Sequence, residues 1–400
     1  MKDKYIKIID LGMQPFADTF IGRQQLNLSE PLYPLECFLN KDSGEIRVGV
    51  NTKEDDRYNL YDYSYTSSNS KFSKSHWTKY ASEVSDKVGL SNNSNIIEIG
   101  SNDGFLSKLF KDMGHDIAGV DPSRYMAQIA KNTRGINTYN CLFSYNSSQE
   151  IKNDRGACDL VIANNVFNHS NDPDDFIRGV SNLLSPEGFF VFELPYWYNT
   201  IKDRKFDQIY HEHVTYFTVK YSYNLLKLAG FEIVDVEVVD YHGGSIRVYA
   251  KKLSSPKAVG KNNIVAALIR QEEEFGLFDS ETYVEFMNEI TRCRDRFLSR
   301  LYSIRSQNIP IIAVGASAKG NTFLNFYNLD CSVLDYVTDA SIHKQGKYTP
   351  LTRIPITGDE IFKNYDKAYA LILSWNISDI IKEKLKQINC NIEFLSLGEE

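Results

Sequence analysis

The hydrophobic and polar positions of the 400-residue chain change period several times. From residue 95 short apolar runs alternate with helical-period segments. "NIIEIG" reads as a strand, "SNDGF" as a turn and "LSKLFKDMG" as a helix. "HDIAGVD", "CDLVIANNVF" and "GFFVFELP" continue as strands, with helices at "PSRYMAQIAKNT" and 175–185 between them. "FEIVDVEVVDYHGGSIRVYAKK" adds two more strands. Strands alternating with helices predict a parallel sheet with crossover helices. Residues 257–307 are charged and follow helical spacing. The strand–turn–helix pattern then restarts at "IPIIAVGASAKGNTFLNFYNL", followed by strands at "LDYVTDAS" and "AYALILSW". Polar, Ser/Asn/Tyr-rich residues 51–76 read as a loop leading into a helix near 76–89. The division expected is a small N-terminal domain (1–75), an α/β domain (76–255), a helical connector (256–305) and a second α/β domain (306–400).

Composition narrows the class. Hydrophobic residues make up 42% of the chain, enough for real cores, yet no apolar run reaches the roughly 20 residues of a membrane helix. The start, "MKDKYIKIIDLG", lacks a signal-peptide apolar region. Six widely spaced cysteines without Cys-x-x-Cys fit reduced thiols, and a cytoplasmic location is expected. A net charge of −7 argues against nucleic acid as the main partner. The separate sheets and connector permit a monomer, which is the expectation.

"IIEIGSNDGFL" ends a strand in Glu98 and a turn holding Gly100, Asn102 and Asp103. Ligands bind at the carboxyl ends of parallel strands, and glycine lets backbone amides come close. The spacing is not Gly-x-Gly-x-x-Gly, so it suits the first motif of S-adenosylmethionine-dependent methyltransferases better than a dinucleotide site. Asp121 ends the next strand, where a carboxylate can take both ribose hydroxyls. Asn164 and Asn165 follow "CDLVIA" at the same edge. The competing reading is a doubly wound domain for another nucleotide.

"FDQIYHEHVTYF" (206–217) concentrates two of the seven histidines around a glutamate. If the segment were a strand, His211 and His213 could share a face and hold a metal. Zinc needs further ligands, however, and Thr215 breaks the His-Glu-x-x-His pattern. An ordinary polar strand is the plain alternative. His169, in "NNVFNHSND", lies just past a sheet edge, so two histidine-bearing segments can converge on one cleft, where histidine is a natural base near neutrality. "AVGASAKG" (313–320) has the form of a phosphate-cradling turn. By itself it is equally compatible with an empty structural turn.

Together "FDQIYHEHVTYFT", "YDYSYTSSNS", "VVDYHGGSIRVYA" and "VGASAKGNTFLNF" resemble the sugar C-methyltransferase family, from about residue 8 to the end. That family methylates carbon 3 of nucleotide-linked 4-keto-6-deoxy sugars with S-adenosylmethionine. The resemblance implies a Rossmann-like methyltransferase domain, a second Rossmann-like domain for the nucleotide sugar, and a base that forms an enolate for attack on the methyl group. It makes His213 the base, lines the pocket with Tyr210, Glu212 and His169, and closes it with Tyr63 and Tyr65. It adds Ser67 and His76 on the cofactor side and His242 and Arg247 on the substrate side. In the second domain it assigns Ser317, Lys319, Asn321, Lys344, Gln345 and Lys347 to the sugar nucleotide, with Asn325, Trp375 and Asn376 at neighbouring strand edges. His211, with no chemical role, is expected to be structural.

The N-terminus departs from the family. Relatives carry two Cys-x-x-Cys pairs around "DLG.QP...F" for one structural zinc. Here "IDLGMQPFADTF" remains, the first pair is absent, and the second is "CFLN", Cys37 with Asn40. One thiolate of four cannot make the site. No zinc is expected, and Phe16, Phe20, Leu32, Leu35 and Phe38 are expected to pack this domain instead. Two other functions stay open on the sequence: O- or N-methylation of a nucleotide sugar, and non-catalytic binding.

Overall fold

The computed structural model describes residues 4–50, 52–53, 68, 70–253 and 262–395. Tyr63, Tyr65 and Ser67 lie outside the described residues.

Three sheets organise the chain. The central one has seven strands in the order Phe231–Val239, Ser245–Lys252, Leu184–Pro195, Cys158–Asn164, Asn95–Ile99, Asp116–Val120 and Thr138–Tyr139. Ser245–Lys252 runs antiparallel to both of its neighbours, and the remaining pairs are parallel. This is an α/β, Rossmann-like arrangement. The sequence prescribes it locally. The inner strands are continuous apolar runs, as strands covered on both faces must be. Several of the helices between them have capped starts, with Ser123 accepting from the Met126 amide and Asp172 from the Asp175 amide. The order changes direction around Asn95–Ile99, which opens a crevice at the carboxyl ends of the strands.

The helix expected near 76–89 begins earlier, spanning Lys71–Val88, because the Ser70 hydroxyl accepts from the Ser73 amide and caps it there. Gly89, in the left-handed region, ends it. The region expected to be helical forms Asn263–Glu274 and Ser280–Arg305, broken by a turn at Gly276. The second α/β unit is a five-stranded parallel sheet in the order Ile356–Thr357, Tyr336–Thr338, Ile311–Val314, Ala368–Ile372 and Ile392–Leu395.

The N-terminal sheet is antiparallel and not made from its own segment alone. Tyr5–Gln14, Tyr33–Asn40 and Glu45–Val48 are joined by Thr215–Tyr216, from just beyond the His-Glu-His segment. Its inner face is formed by Leu35, Cys37, Leu39, Ile46 and Val48. Of the apolar set expected in this core, Phe16 and Leu35 are buried, while Phe20, Leu32 and Phe38 are only half-buried. Strand alternation turns Phe38 to the opposite face, where its ring covers Gly49. Cys37 sits inside this core, where burial pushes its thiol up, away from the thiolate a metal needs. Among the described residues no group of three or more His, Cys, Asp or Glu is placed to hold a metal, and no helix is long and apolar enough to cross a membrane.

Candidate active site

Gly100, Val120 and Pro122 at the strand ends, with Leu142, Val166 and His169, line an apolar cleft in the crevice. Gly100 has φ of 72°, and a Cβ there would stand 2.8 Å from the Val166 side chain. Only glycine suits both demands. Asp121 lies beside the cleft, its two carboxylate oxygens accepting from the backbone amides of Asn102 and Ser123, each at 2.8 Å. Burial raises its pKa to about 6 against the help of those amides. Glu98 is turned under the helix Phe105–Asp112, where it accepts from the Ser107 hydroxyl, and burial lifts it to about 8. Asp103 pairs with Arg134 at 3.2 Å. Asn164 ends its strand, and Asn165, with φ of 52°, turns toward the adjoining cavity.

That cavity, of about 260 Å³, lies where the three sheets meet. His169 lines both the cleft and the cavity. It is the physical link between a strand-end site and the His-Glu-His segment. That segment is not a strand. A short 3-10 turn at Phe206–Gln208 is followed by a tight turn in which the His213 amide donates to the Tyr210 carbonyl at 3.0 Å. Strand alternation therefore does not govern the pair. His211 points into the N-terminal domain, buried between Phe16 and Tyr33, with Nε2 3.3 Å from the Pro34 carbonyl. His213 points into the cavity wall, its ring centroid 5.1 Å from that of His169.

The tautomer of His213 follows from its partners. Nδ1 is 3.2 Å from the Gln208 carbonyl, an acceptor, so Nδ1 carries the proton. Nε2 is then an acceptor, 2.6 Å from the Tyr210 hydroxyl. Burial holds the imidazole well below its ordinary pKa, and His169, His242 and Lys319 add to the depression. The result is a neutral imidazole with its basic nitrogen on the cavity side. Tyr210 and Glu212 line the same wall.

The C-terminal domain supplies the facing wall. Ser317 caps the helix Ala318–Phe326, and the cavity also meets Lys319, Lys344 and Asn376. Lys319 Nζ donates to Asn376 Oδ1 at 3.0 Å and lies 4.6 Å from the centre of the Trp375 ring. Burial lowers its pKa to about 8, opposed by the charge of Asp207. Lys344 Nζ donates to the Ala316 carbonyl at 2.6 Å.

Several residues expected to meet ligands are engaged elsewhere. Arg247 is 2% exposed and held by Glu193 at 2.8 Å and Glu83 at 2.9 Å, with its guanidinium over the Tyr80 ring. It does not line the cavity, because Glu193, buried in the neighbouring strand, needs a counter-charge. His76 completes that group. Its Nε2 is 2.6 Å from Glu193, and its ring stacks on Tyr241 at 3.8 Å. Asn321 donates to the Ala17 carbonyl at 2.6 Å, tying the outer domains together. Trp375 donates to Asp207 at 2.6 Å, and its ring packs where a Gly243 Cβ would be. Gln345 donates to the Asp339 carbonyl at 2.9 Å. Lys347 and the buried Asn325 are not among the cavity-lining residues. His242 is, and burial with Lys319 and His76 nearby pushes its pKa down to about 3.

Ten of the residues lining the cavity escaped the sequence reading, among them Asp18, Phe72, Gln208 and Tyr241. Gln208 and Tyr241 lie inside quoted segments, but nothing in their spacing marks them. Asp18 had a legible signal as the one charge within "PFADTF".

Comparison with known proteins agrees with this architecture. Residues 73–236 match the methyltransferase domain family, and residues 240–394 match the C-methyltransferase C-terminal domain family. The chain is 29% identical to the C-methyltransferase NovU of Streptomyces niveus over 385 residues, covering 96% of this chain and 90% of NovU. Among solved structures, a magnesium protoporphyrin IX methyltransferase from Synechocystis aligns with a TM-score of 0.36 at 14% identity, over 45% of this chain and 82% of its own. A methyltransferase from Methanosarcina mazei aligns with a TM-score of 0.34 at 17% identity, over 42% and 95%. Residues 73–236 match a methyltransferase domain, a C-terminal sheet domain follows, and over nearly its whole length the chain is similar to a C-methyltransferase.

Proposed function

We propose that the protein methylates carbon 3 of a nucleotide-linked 4-keto-6-deoxy sugar, with S-adenosylmethionine as methyl donor. The observation that carries this reading is His213. It is a neutral, oriented imidazole in a cavity that shares His169 with a strand-end cleft and faces two lysines.

The residues present fit the cofactor. The Gly100 cradle admits close backbone approach, the apolar walls suit an adenine face, and Asp121 stands at the strand end where a ribose would lie. When bound, S-adenosylmethionine supplies an electrophilic methyl group. The chain's own task is to make a carbon nucleophile. A ketone at carbon 4 acidifies the proton on carbon 3, and His213 Nε2 takes it. The Gln208 carbonyl keeps the ring in the tautomer that leaves Nε2 basic. Tyr210, hydrogen-bonded to Nε2 in the free protein, is placed to donate to developing negative charge once the acceptor enters. The lysines suit a diphosphate. Holding the acceptor between the two walls orients its carbon toward the cleft.

The test is exchange of the carbon-3 proton with deuterated water, followed by NMR. Wild type should exchange it, and His213→Asn should not. Exchange at the wild-type rate by the variant would remove His213 as base, and a product methylated on oxygen or nitrogen would remove the C-methylation reading.

A further inference from the structure

Asp18 is a charged group of the cavity that the mechanism above does not use. It comes from the N-terminal domain, between the buried Ala17 and Thr19, and its side chain faces the cavity. Among the described residues its carboxylate takes no hydrogen bond and no ion pair within 4 Å. Its backbone amide, by contrast, is fixed, donating to Glu212 Oε1 at 3.2 Å. That contact places Asp18 beside the Tyr210–His213 turn. The charges of Lys344, Asp339 and Lys347 act on it, and Lys344 lines the same cavity. Asp18 therefore shares one cavity with the proposed base and with Lys319 and Lys344, next to the Tyr210–His213 turn.

A carboxylate is an odd neighbour for an anionic diphosphate substrate. It repels the phosphates and gains nothing from a ketone, which only accepts hydrogen bonds. Desolvated without a partner, it is costly to keep. Both objections vanish if the ligand itself brings a donor. We infer that Asp18 is a specificity-determining residue that accepts a hydrogen bond from a hydroxyl or ammonium group on the sugar ring of the acceptor. This rests on the nucleotide-sugar reading and deepens it: the acceptor retains a donor group on the ring rather than being fully deoxygenated near the ketone.

The test uses pairs of nucleotide-linked 4-keto-6-deoxy sugars that differ only at carbon 2 or carbon 3, bearing hydroxyl, amine or hydrogen. Binding is measured calorimetrically without cofactor, and methyl transfer is measured alongside. Wild type should favour a donor-bearing member of one pair by about ten- to a hundredfold. Asp18→Ala should abolish that ratio, and Asp18→Asn, which keeps an acceptor oxygen, should retain part of it. The hydroxyl and amine arms separate the two donors. No ratio in wild type, or an unchanged ratio in Asp18→Ala, overturns the inference. Because affinity carries the comparison, it is decided even if methylation goes to another atom. Ratios that follow Asp18 without methyl transfer to carbon would sink only the catalytic reading, and failure of every sugar nucleotide to bind would sink both.

Discussion

The Tyr210 hydroxyl lies 2.6 Å from Nε2 of His213, while the other ring nitrogen is fixed on the Gln208 carbonyl. Two nearby residues, Gln208 and Tyr210, thus set the tautomer, orientation and occupancy of a single imidazole. Tyr210→Phe leaves that ring oriented by Gln208 but removes the donor at Nε2. The turnover rate should fall by about ten- to a hundredfold, in line with the loss of one hydrogen bond to charge in the transition state. Carbon-3 proton exchange should persist at a reduced rate. Equal loss of exchange in Tyr210→Phe and His213→Asn would mean that the imidazole does not act alone and that the hydroxyl and imidazole move the proton together.

Lys319 predicts an alkaline limb. Burial lowers its pKa to about 8, so it is cationic below that pH and neutral above it. Binding of a diphosphate needs the cation, so kcat/KM should decline as pH rises through about 8. The limb should disappear in Lys319→Gln, at a lower plateau throughout. His213, held below its ordinary pKa, stays unprotonated as pH falls through 6.5, so the acidic limb should lie below that value. A limb at Lys319 that survives the substitution would assign it to another group, Glu98 included.

Arg247 separates structure from recognition. Its removal strands Glu193, which is fully buried in the central sheet. Arg247→Met should destabilise the fold by about 3–5 kcal/mol, the cost of breaking a buried ion pair from one side. Chemical denaturation measures this. Near-normal stability with a raised KM for the acceptor would return Arg247 to the substrate site.

Gly100→Ala tests the cofactor cradle. The added methyl meets Val166 at 2.8 Å in a backbone region side chains avoid. S-adenosylhomocysteine should bind about tenfold or more weakly in calorimetry, the effect of roughly 1.4 kcal/mol. Unchanged affinity would place the cofactor away from this turn.

Local periodicity determined much of this protein by itself. Apolar runs set the central strands, capped amphipathic segments set the helices, and the restart near residue 310 announced a second parallel sheet, because these features depend on neighbours in the chain. Residue types in short motifs also marked Gly100, His169, His213 and Lys319. Tertiary structure decided what each polar group spends its hydrogen bonds on. Arg247, Asn321 and Trp375 look like ligand contacts in the sequence, yet buried partners 54, 304 and 168 positions away claim them. His211 and His213 look equivalent until a turn sends one to Pro34 and the other to Tyr210. Asp18 joins the site because the N-terminal sheet recruits Thr215–Tyr216 and its amide meets Glu212 in the Tyr210–His213 turn. Sequence spacing records backbone geometry. The assignment of buried charge is settled by which desolvated groups meet, and that is a property of the folded whole.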